Sequence, residues 1–231
     1  MKILVADDEK EIVELEELYL KEAGYEVFKA YDGKMALRLL AEENIDFLIL
    51  DVMMPGLDGV KVCKKMRETE KIPVIMVSAK GQEMDKIAGL QAGADDYMVK
   101  PFSPLELVAR VKSQFRRAAY YSEPKEQTCT QIIVKHLKID KERHQVFRFG
   151  DEVKLTPTEY DILLLLAENR GKVYSSEEIY RVLWKEKYYE GNNTVMAHMW
   201  RLREKIEENP KQPVIIETVW GVGYKIEADK Y

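Results

Sequence analysis

Short apolar runs and amphipathic stretches alternate along the first half of the chain. The runs are ILVA at 3–6, EVFKA at 26–30, FLIL at 47–50, PVIMVSA at 73–79 and YMVK at 97–100. Stretches with helical periodicity lie between them. In the first, Ile12, Leu15, Leu18 and Tyr19 share one face, and Gly24 follows as a stop. This alternation over 2–117 predicts an α/β doubly wound domain, a five-stranded parallel sheet with helices on both faces. In such sheets ligands bind beyond the carboxyl ends of the strands.

The rhythm breaks at AAYYSEPKEQTCTQ, 118–131, which is polar, holds Pro124 and has no sustained period. From 132 it changes. Alternating strands come first (IIVKHLKID, QVFRFG, EVKL), then three helices, then a terminal hairpin in VIIETVWGVGYKIE. Thr156-Pro157-Thr158-Glu159 reads as a capping box with proline at the first helical position, and Ser175 with Glu178 as a second box. The predicted division is a first domain over 1–119, a linker over 120–131 and an α+β domain over 132–231.

Composition narrows the class. With 46% hydrophobic and 33% charged residues, the 231-residue chain reads as globular, and its two scattered cysteines suit a reducing, cytoplasmic setting. No apolar run approaches the roughly 20 residues that span a bilayer, so no membrane partner is expected. Cys63 and Cys129 are far apart and carry no metal-ligand spacing. A net charge of −5 excludes a generally basic coat but leaves room for a local basic face.

The candidate chemistry sits at predicted strand ends. Asp7 and Asp8 close the first strand and Asp51 the third. In a sheet ordered 2-1-3-4-5 these strands are neighbours, and three carboxylates repel one another unless a cation sits among them. Oxygen ligands with room for water suit Mg²⁺. Ser78 ends the fourth strand and Lys100 the fifth, so a hydroxyl and an ammonium reach the same edge. Together they form a site for a phosphoryl group, with Asp51 as its acceptor. Asp7 or Asp8 alone reads equally well as a solvated strand end. The force lies in five residues of matched chemistry on four strand ends.

ADDE (6–9), LDVMMPGLDG (50–59), VSAK (77–80) and GADDYMVKPF (93–102) resemble the receiver domain of response regulators. The resemblance covers the whole first half and implies a flavodoxin-like fold. It makes Asp51 the phosphoacceptor, phosphorylated by a sensor histidine kinase. It also implies Mg²⁺ held by Asp7, Asp8, Asp51 and the backbone carbonyl of Met53. Ser78 and Lys100 would contact the phosphoryl group, Tyr97 would be the aromatic switch, and the Lys100–Pro101 bond would be cis. Phosphatases of the haloacid dehalogenase type also use a strand-end Asp and Mg²⁺. They carry a second acid two positions later, where this chain has Met53, so a persistent phospho-Asp with at most slow autodephosphorylation is expected rather than an enzyme's fast turnover.

In the second half, Val195, Met199, Leu202 and Ile206 fall on one helix face and read as core. The opposite side is expected to present Thr194, Ala197, His198, Trp200 and Arg201, with Arg203 and Lys205 toward the flank. Asn192, Asn193 and Thr194 at the helix start suit phosphate. A helix so placed, followed by a hairpin, suits insertion into the major groove of double-stranded DNA. Residues 128–231 hold 17 acids and 17 bases, so charge alone also fits a solvated face. LTPTEYDILLLL (155–166), TVMAHMWRLREKI (194–206) and ETVWGVGYKIE (217–227) resemble the winged-helix domain of OmpR/PhoB-type response regulators. That resemblance implies a four-stranded N-terminal platform. It makes Thr194, Ala197, His198, Arg201 and Arg203 DNA contacts, with Trp220 at the wing. Positions 200 and 220, often basic in the family, are both Trp here, and either ring touches DNA or covers core. The Trp-Gly-Val-Gly-Tyr wing is similar to that of glycopeptide-resistance regulators.

The resemblance also implies a homodimer on phosphorylation, through a face carrying Lys86, Asp95, Asp96, Glu106, Arg110 and Lys112. RNA polymerase is a further implied partner. Two alternatives stand beside this reading: a Mg²⁺-dependent phosphatase with an accessory domain, and a phosphorylation-independent DNA-binding protein.

Overall fold

The computed structural model describes residues 1–79, 83–120, 131–184 and 194–228, with the backbone alone at 83–87 and 116–120. The chain divides into two compact units, Met1–Phe115 and Arg116–Tyr231.

The first unit alternates strands β1 (Lys2–Ala6), β2 (Glu26–Ala30), β3 (Phe47–Asp51), β4 (Val74–Ser78) and β5 (Asp96–Val99) with helices. The helices are α1 (Lys10–Glu22), α2 (Gly33–Glu42), α3 (Gly59–Met66), α4 (Glu83–Ala92) and α5 (Pro104–Tyr120). The strands form one parallel sheet in the order β2-β1-β3-β4-β5, as expected. Every residue of β3 and β4 is buried, which is why both read as unbroken apolar runs. Asp32 and Asp58 cap α2 and α3 by accepting from Met35 N–H and Lys61 N–H. Gly24 follows α1 at φ 91°, a conformation that favours glycine. The Lys100–Pro101 bond is cis.

The face expected of α1 is corrected. Leu15 and Leu18 are 46% and 55% exposed, and the buried residues are Val13, Glu16 and Leu20. A glutamate in the middle of the core-facing stripe hides the true period.

The second unit opens with an antiparallel sheet, β6 (Gln131–Val134), β7 (Leu137–Asp140), β8 (Gln145–Arg148) and β9 (Asp151–Val153), in sequential order. The run read as one strand, IIVKHLKID, is two, because Lys135 turns the chain at φ 51°. Helices α6 (Pro157–Glu168), α7 (Ser176–Trp184) and α8 (Thr194–Ile206) follow, then the hairpin β10 (Ile216–Val219) and β11 (Gly223–Ile226). Both capping boxes form: Thr156 with Glu159 on α6, and Ser175 with Glu178 on α7. Val195, Met199, Leu202 and Ile206 join the core of this unit. Most of the expected linker, at 121–130 with Cys129, lies outside the described residues. Among those described, Cys63 is buried and forms no disulfide, and no helix is long and apolar enough to cross a membrane.

Candidate functional site

The parallel register brings β1, β3, β4 and β5 to a common carboxyl edge, and the predicted residues meet there. One carboxylate oxygen each from Asp7, Asp8 and Asp51 lie within 4.8 Å of one another. Asp7 and Asp51 are buried and Asp8 is exposed, so the cluster opens to solvent on one side. Lys100 reaches across it. Its ammonium is 2.6 Å from Asp7 Oδ2, 3.1 Å from Glu9 Oε1 and 3.3 Å from Asp51 Oδ1. Burial alone would lower the Lys100 pKa, but its hydrogen bond to Asp7 and the charges of Asp51 and Glu9 outweigh that and raise it. Burial also raises the pKa of Asp51, with repulsion from Asp7 adding to it and Lys100 opposing. The N–H of Met53 donates to Asp51 Oδ2 at 2.6 Å and fixes the carboxylate's plane.

Ser78 is fully buried at the end of β4, and its carbonyl accepts from Lys100 N–H at 2.9 Å. Tyr97, on β5, is 5% exposed and faces inward. A Cβ built on Gly89 would lie 3.3 Å from the Tyr97 ring and 2.8 Å from Met76 Sδ, so the α4 backbone packs closely over both.

In the second unit the expected open face of α8 is corrected. Thr194, Ala197, His198 and Arg201 are all buried. Arg201 is drawn inward by the fully buried Glu159 of α6, with Nη2 2.9 Å from Oε1. The other oxygen of Glu159 takes Lys205 Nζ at 2.6 Å and Thr156 N–H at 2.9 Å. His198 packs against the Trp184 ring, 5.7 Å between centroids. The exposed positions of α8 are Met196, Trp200 and Glu204. Arg203 is half-buried and bonded to β10. At the hairpin tip Trp220 is 90% exposed, so it covers no core. Asn192 and Asn193 lie outside the described residues.

A parallel-sheet edge with an acid cluster crossed by a lysine, followed by a platform, three helices and a hairpin, is shared with known proteins. Residues 3–112 match the response regulator receiver domain family, and 150–226 match the family described as transcriptional regulatory protein, C terminal. Regulatory protein VanRc of Enterococcus gallinarum is 49% identical over 229 residues, 98% of each chain. Transcriptional regulatory protein ResD of Bacillus subtilis is 44% identical over 229 residues, 98% of this chain and 95% of that one. The crystal structure of response regulator DrrB, a Thermotoga maritima OmpR/PhoB homolog, is 34% identical at a TM-score of 0.52, covering 98% of this chain and 99% of that one. The chain belongs to the OmpR/PhoB-type response regulators. It joins a receiver to a winged-helix effector domain and is a phosphorylation-dependent, DNA-binding transcriptional regulator.

In this response regulator the charges expected on a dimer face are largely used inside one chain. Asp95 is fully buried, pairs with Arg67 at 2.8 Å and accepts from Val74 N–H at 3.0 Å. It ties β5 to the end of α3 and is removed from that face. Asp96 is 4% exposed and pairs with Arg110 at 2.7 Å, and Arg110 also takes Glu106, one turn away, at 2.9 Å. Lys112 is exposed, and the side chain of Lys86 lies outside those described.

Two residues at the site escaped the sequence reading. A Cβ on Gly59 would lie 2.1 Å from the Asp51 carbonyl oxygen, so only glycine lets α3 start against the strand that ends in Asp51. The Asp58 cap just before it was the available signal. Glu16 is 2% exposed, and neither carboxyl oxygen has a hydrogen-bond partner among the described residues. Nothing in an apolar-period reading reveals it.

Proposed function

We propose that Asp51 accepts a phosphoryl group from the phosphohistidine of a sensor kinase, with Asp7, Asp8, Asp51 itself and the Met53 carbonyl holding Mg²⁺. The gathering of three carboxylates within 4.8 Å, crossed by the Lys100 ammonium, carries this reading. Four oxygen ligands and open solvent on the Asp8 side suit a hard cation that keeps part of its water. Mg²⁺, when bound, neutralises charge on the phosphoryl oxygens. The Asp51 carboxylate, held by Met53 N–H, attacks phosphorus and displaces the histidine nitrogen. Lys100 then exchanges carboxylate for phosphoryl oxygen as partner, and the Ser78 hydroxyl donates to another. Tyr97 keeps its inward position as Ser78 engages. With Met at position 53, where a general acid would be required for turnover, the protein is a switch rather than an enzyme.

The same reading places the regulator in the cytoplasm, with 120–131 as the tether between domains. Phosphorylation favours a homodimer through α4, β5 and α5, supported by Leu105 at 67% exposure and Val99 at 44%. The dimer sets two copies of α8 and the wing on repeated half-sites in promoter DNA, where RNA polymerase is engaged. Trp200 and Trp220 are exposed aromatic side chains of this surface, beside the exposed Met196 and Val222.

The test is intact-protein mass after incubation with Mg²⁺ and a small phosphodonor, wild type beside Asp51→Asn, with oligomer size and DNA affinity read on the same samples. One added phosphoryl in wild type alone, with dimer formation and tighter DNA binding, is expected. An adduct that persists in Asp51→Asn moves the acceptor elsewhere.

A further inference from the structure

Arg203 was expected to touch DNA, and its side chain is spent on the wing. Its Nη2 donates to the Ile216 carbonyl at 2.7 Å and to Thr218 Oγ1 at 2.8 Å. Its guanidinium carbon stands 5.5 Å from the centroid of the Tyr224 ring. Thr218 and Tyr224 are cross-strand partners, one pair back from the tip that carries Trp220 and Val222. One turn further along the chain, the buried Glu207 accepts from Val214, Ile215 and Ile216 N–H, each at 2.9 Å. Ile216 is therefore held through both its carbonyl, by Arg203, and its N–H, by Glu207.

The other strand of the hairpin is fixed independently. Tyr224 and Tyr174 exchange two backbone hydrogen bonds of 2.9 Å, and a Cβ on Gly223 would lie 2.0 Å from the Tyr174 carbonyl oxygen. β11 is thus pinned to the segment between α6 and α7, and β10 to α8. Only the second attachment passes through a forked side chain that grips both members of a strand pair.

We infer that Arg203 is a positioning residue that sets the wing tip against α8, and that it makes no phosphate contact of its own. The inference rests on the reading that α8 and the wing bind DNA. A planar fork suits this role, because it bonds carbonyl and hydroxyl together while its face covers an aromatic ring; lysine supplies charge without the fork. Binding surfaces lose affinity when such supporting groups loosen, even with every contact residue present.

The probe is duplex DNA enriched from a randomised pool by the full-length, phosphodonor-treated wild type. Affinity is measured against salt for wild type, Arg203→Met, Arg203→Lys, the tip variant Trp220→Ala/Val222→Ala, and Arg203→Met combined with that tip variant. Arg203→Met should weaken binding about tenfold with the slope of log affinity on log salt unchanged, and Arg203→Lys should do no better. Added to the tip variant, Arg203→Met should change affinity less than about twofold. A phosphate contact predicts the opposite: a slope smaller by about one, rescue by lysine and equal loss in both backgrounds. Any of these three results overturns the inference, as does an Arg203→Met protein that binds like wild type. Failure of wild type to enrich any DNA overturns the DNA-binding reading itself, and the inference with it.

Discussion

The Lys100 ammonium lies 3.3 Å from Asp51 and 2.6 Å from Asp7, so it shares the same carboxylates with any cation bound there. It offsets part of their repulsion in the resting protein and competes with Mg²⁺ for them. Lys100→Met should therefore bind Mg²⁺ more tightly, by about five- to tenfold, since one charge at this range is worth on the order of 1 kcal/mol in solvent. The same variant should lose the phosphorylation-dependent gain in DNA affinity, having no ammonium to move onto the phosphoryl group. Calorimetric Mg²⁺ titration beside DNA binding separates the effects. Weaker Mg²⁺ binding in the variant contradicts the competition.

Gly59 sets the distance between α3 and Asp51. A methyl at this position would fall 2.1 Å from the Asp51 carbonyl oxygen, which is backbone and cannot swing away. Gly59→Ala should destabilise the receiver by about 2–3 kcal/mol and slow phosphorylation more than Gly56→Ala. Gly56 has open space around its missing Cβ and only a φ of 77° to defend. Urea unfolding and phosphodonor kinetics on both variants test the contrast. Equal phosphorylation rates would remove Gly59 from the site.

Glu159 holds two cations of α8 from inside α6. Glu159→Gln leaves the buried Arg201 without its carboxylate, which costs about 3–5 kcal/mol, and frees the partly exposed Lys205 to solvent. The chain's three tryptophans, Trp184, Trp200 and Trp220, all lie in the effector domain. Tryptophan fluorescence during urea unfolding of the full chain therefore reports this domain alone. The transition should move to lower urea in Glu159→Gln. Arg201→Met should cost less, because Lys205 still pairs with the carboxylate.

Where local chemistry and period agree, the sequence is transparent. The strand ends bearing Asp7, Asp51, Ser78 and Lys100 were legible because each closes an apolar run, and both capping boxes because their spacing is their mechanism. The core face of α8 was legible for the same reason. Its open face was not: Arg201 is polar by type, and only the depth of Glu159, itself read as a cap, shows that Arg201 turns inward. Asp95 and Asp96 mislead in the same way, since acids at a strand start look like surface until Arg67 and Arg110 arrive from α3 and α5. On α1, Glu16 stands where an apolar residue would have completed Val13–Leu20, and the exposed Leu15 and Leu18 supplied a false stripe.

Glu16 carries a pH dependence of definite sign. Burial first, and repulsion from Asp7 next, push its carboxyl up to about 8 from an ordinary 4.5, with Lys100 opposing. The fold thus favours the neutral acid. Below about pH 4.5 folded and unfolded chains both hold the proton, and the shift costs nothing. Between about 4.5 and 8 the unfolded chain has released it and the folded chain has not, so receiver stability falls by about 1.4 kcal/mol per pH unit from this group. Above about 8 both forms are ionised and the loss stays at its full extent. Glu16→Leu should be more stable than wild type at pH 6, and its advantage should widen to pH 8 and then level off. Urea unfolding followed by far-ultraviolet circular dichroism, with the effector transition located by tryptophan fluorescence, gives the receiver's stability in each protein. Stability curves that run parallel from pH 5 to 9 would mean that Glu16 is ionised throughout, with a cation partner that the carboxyl lacks here.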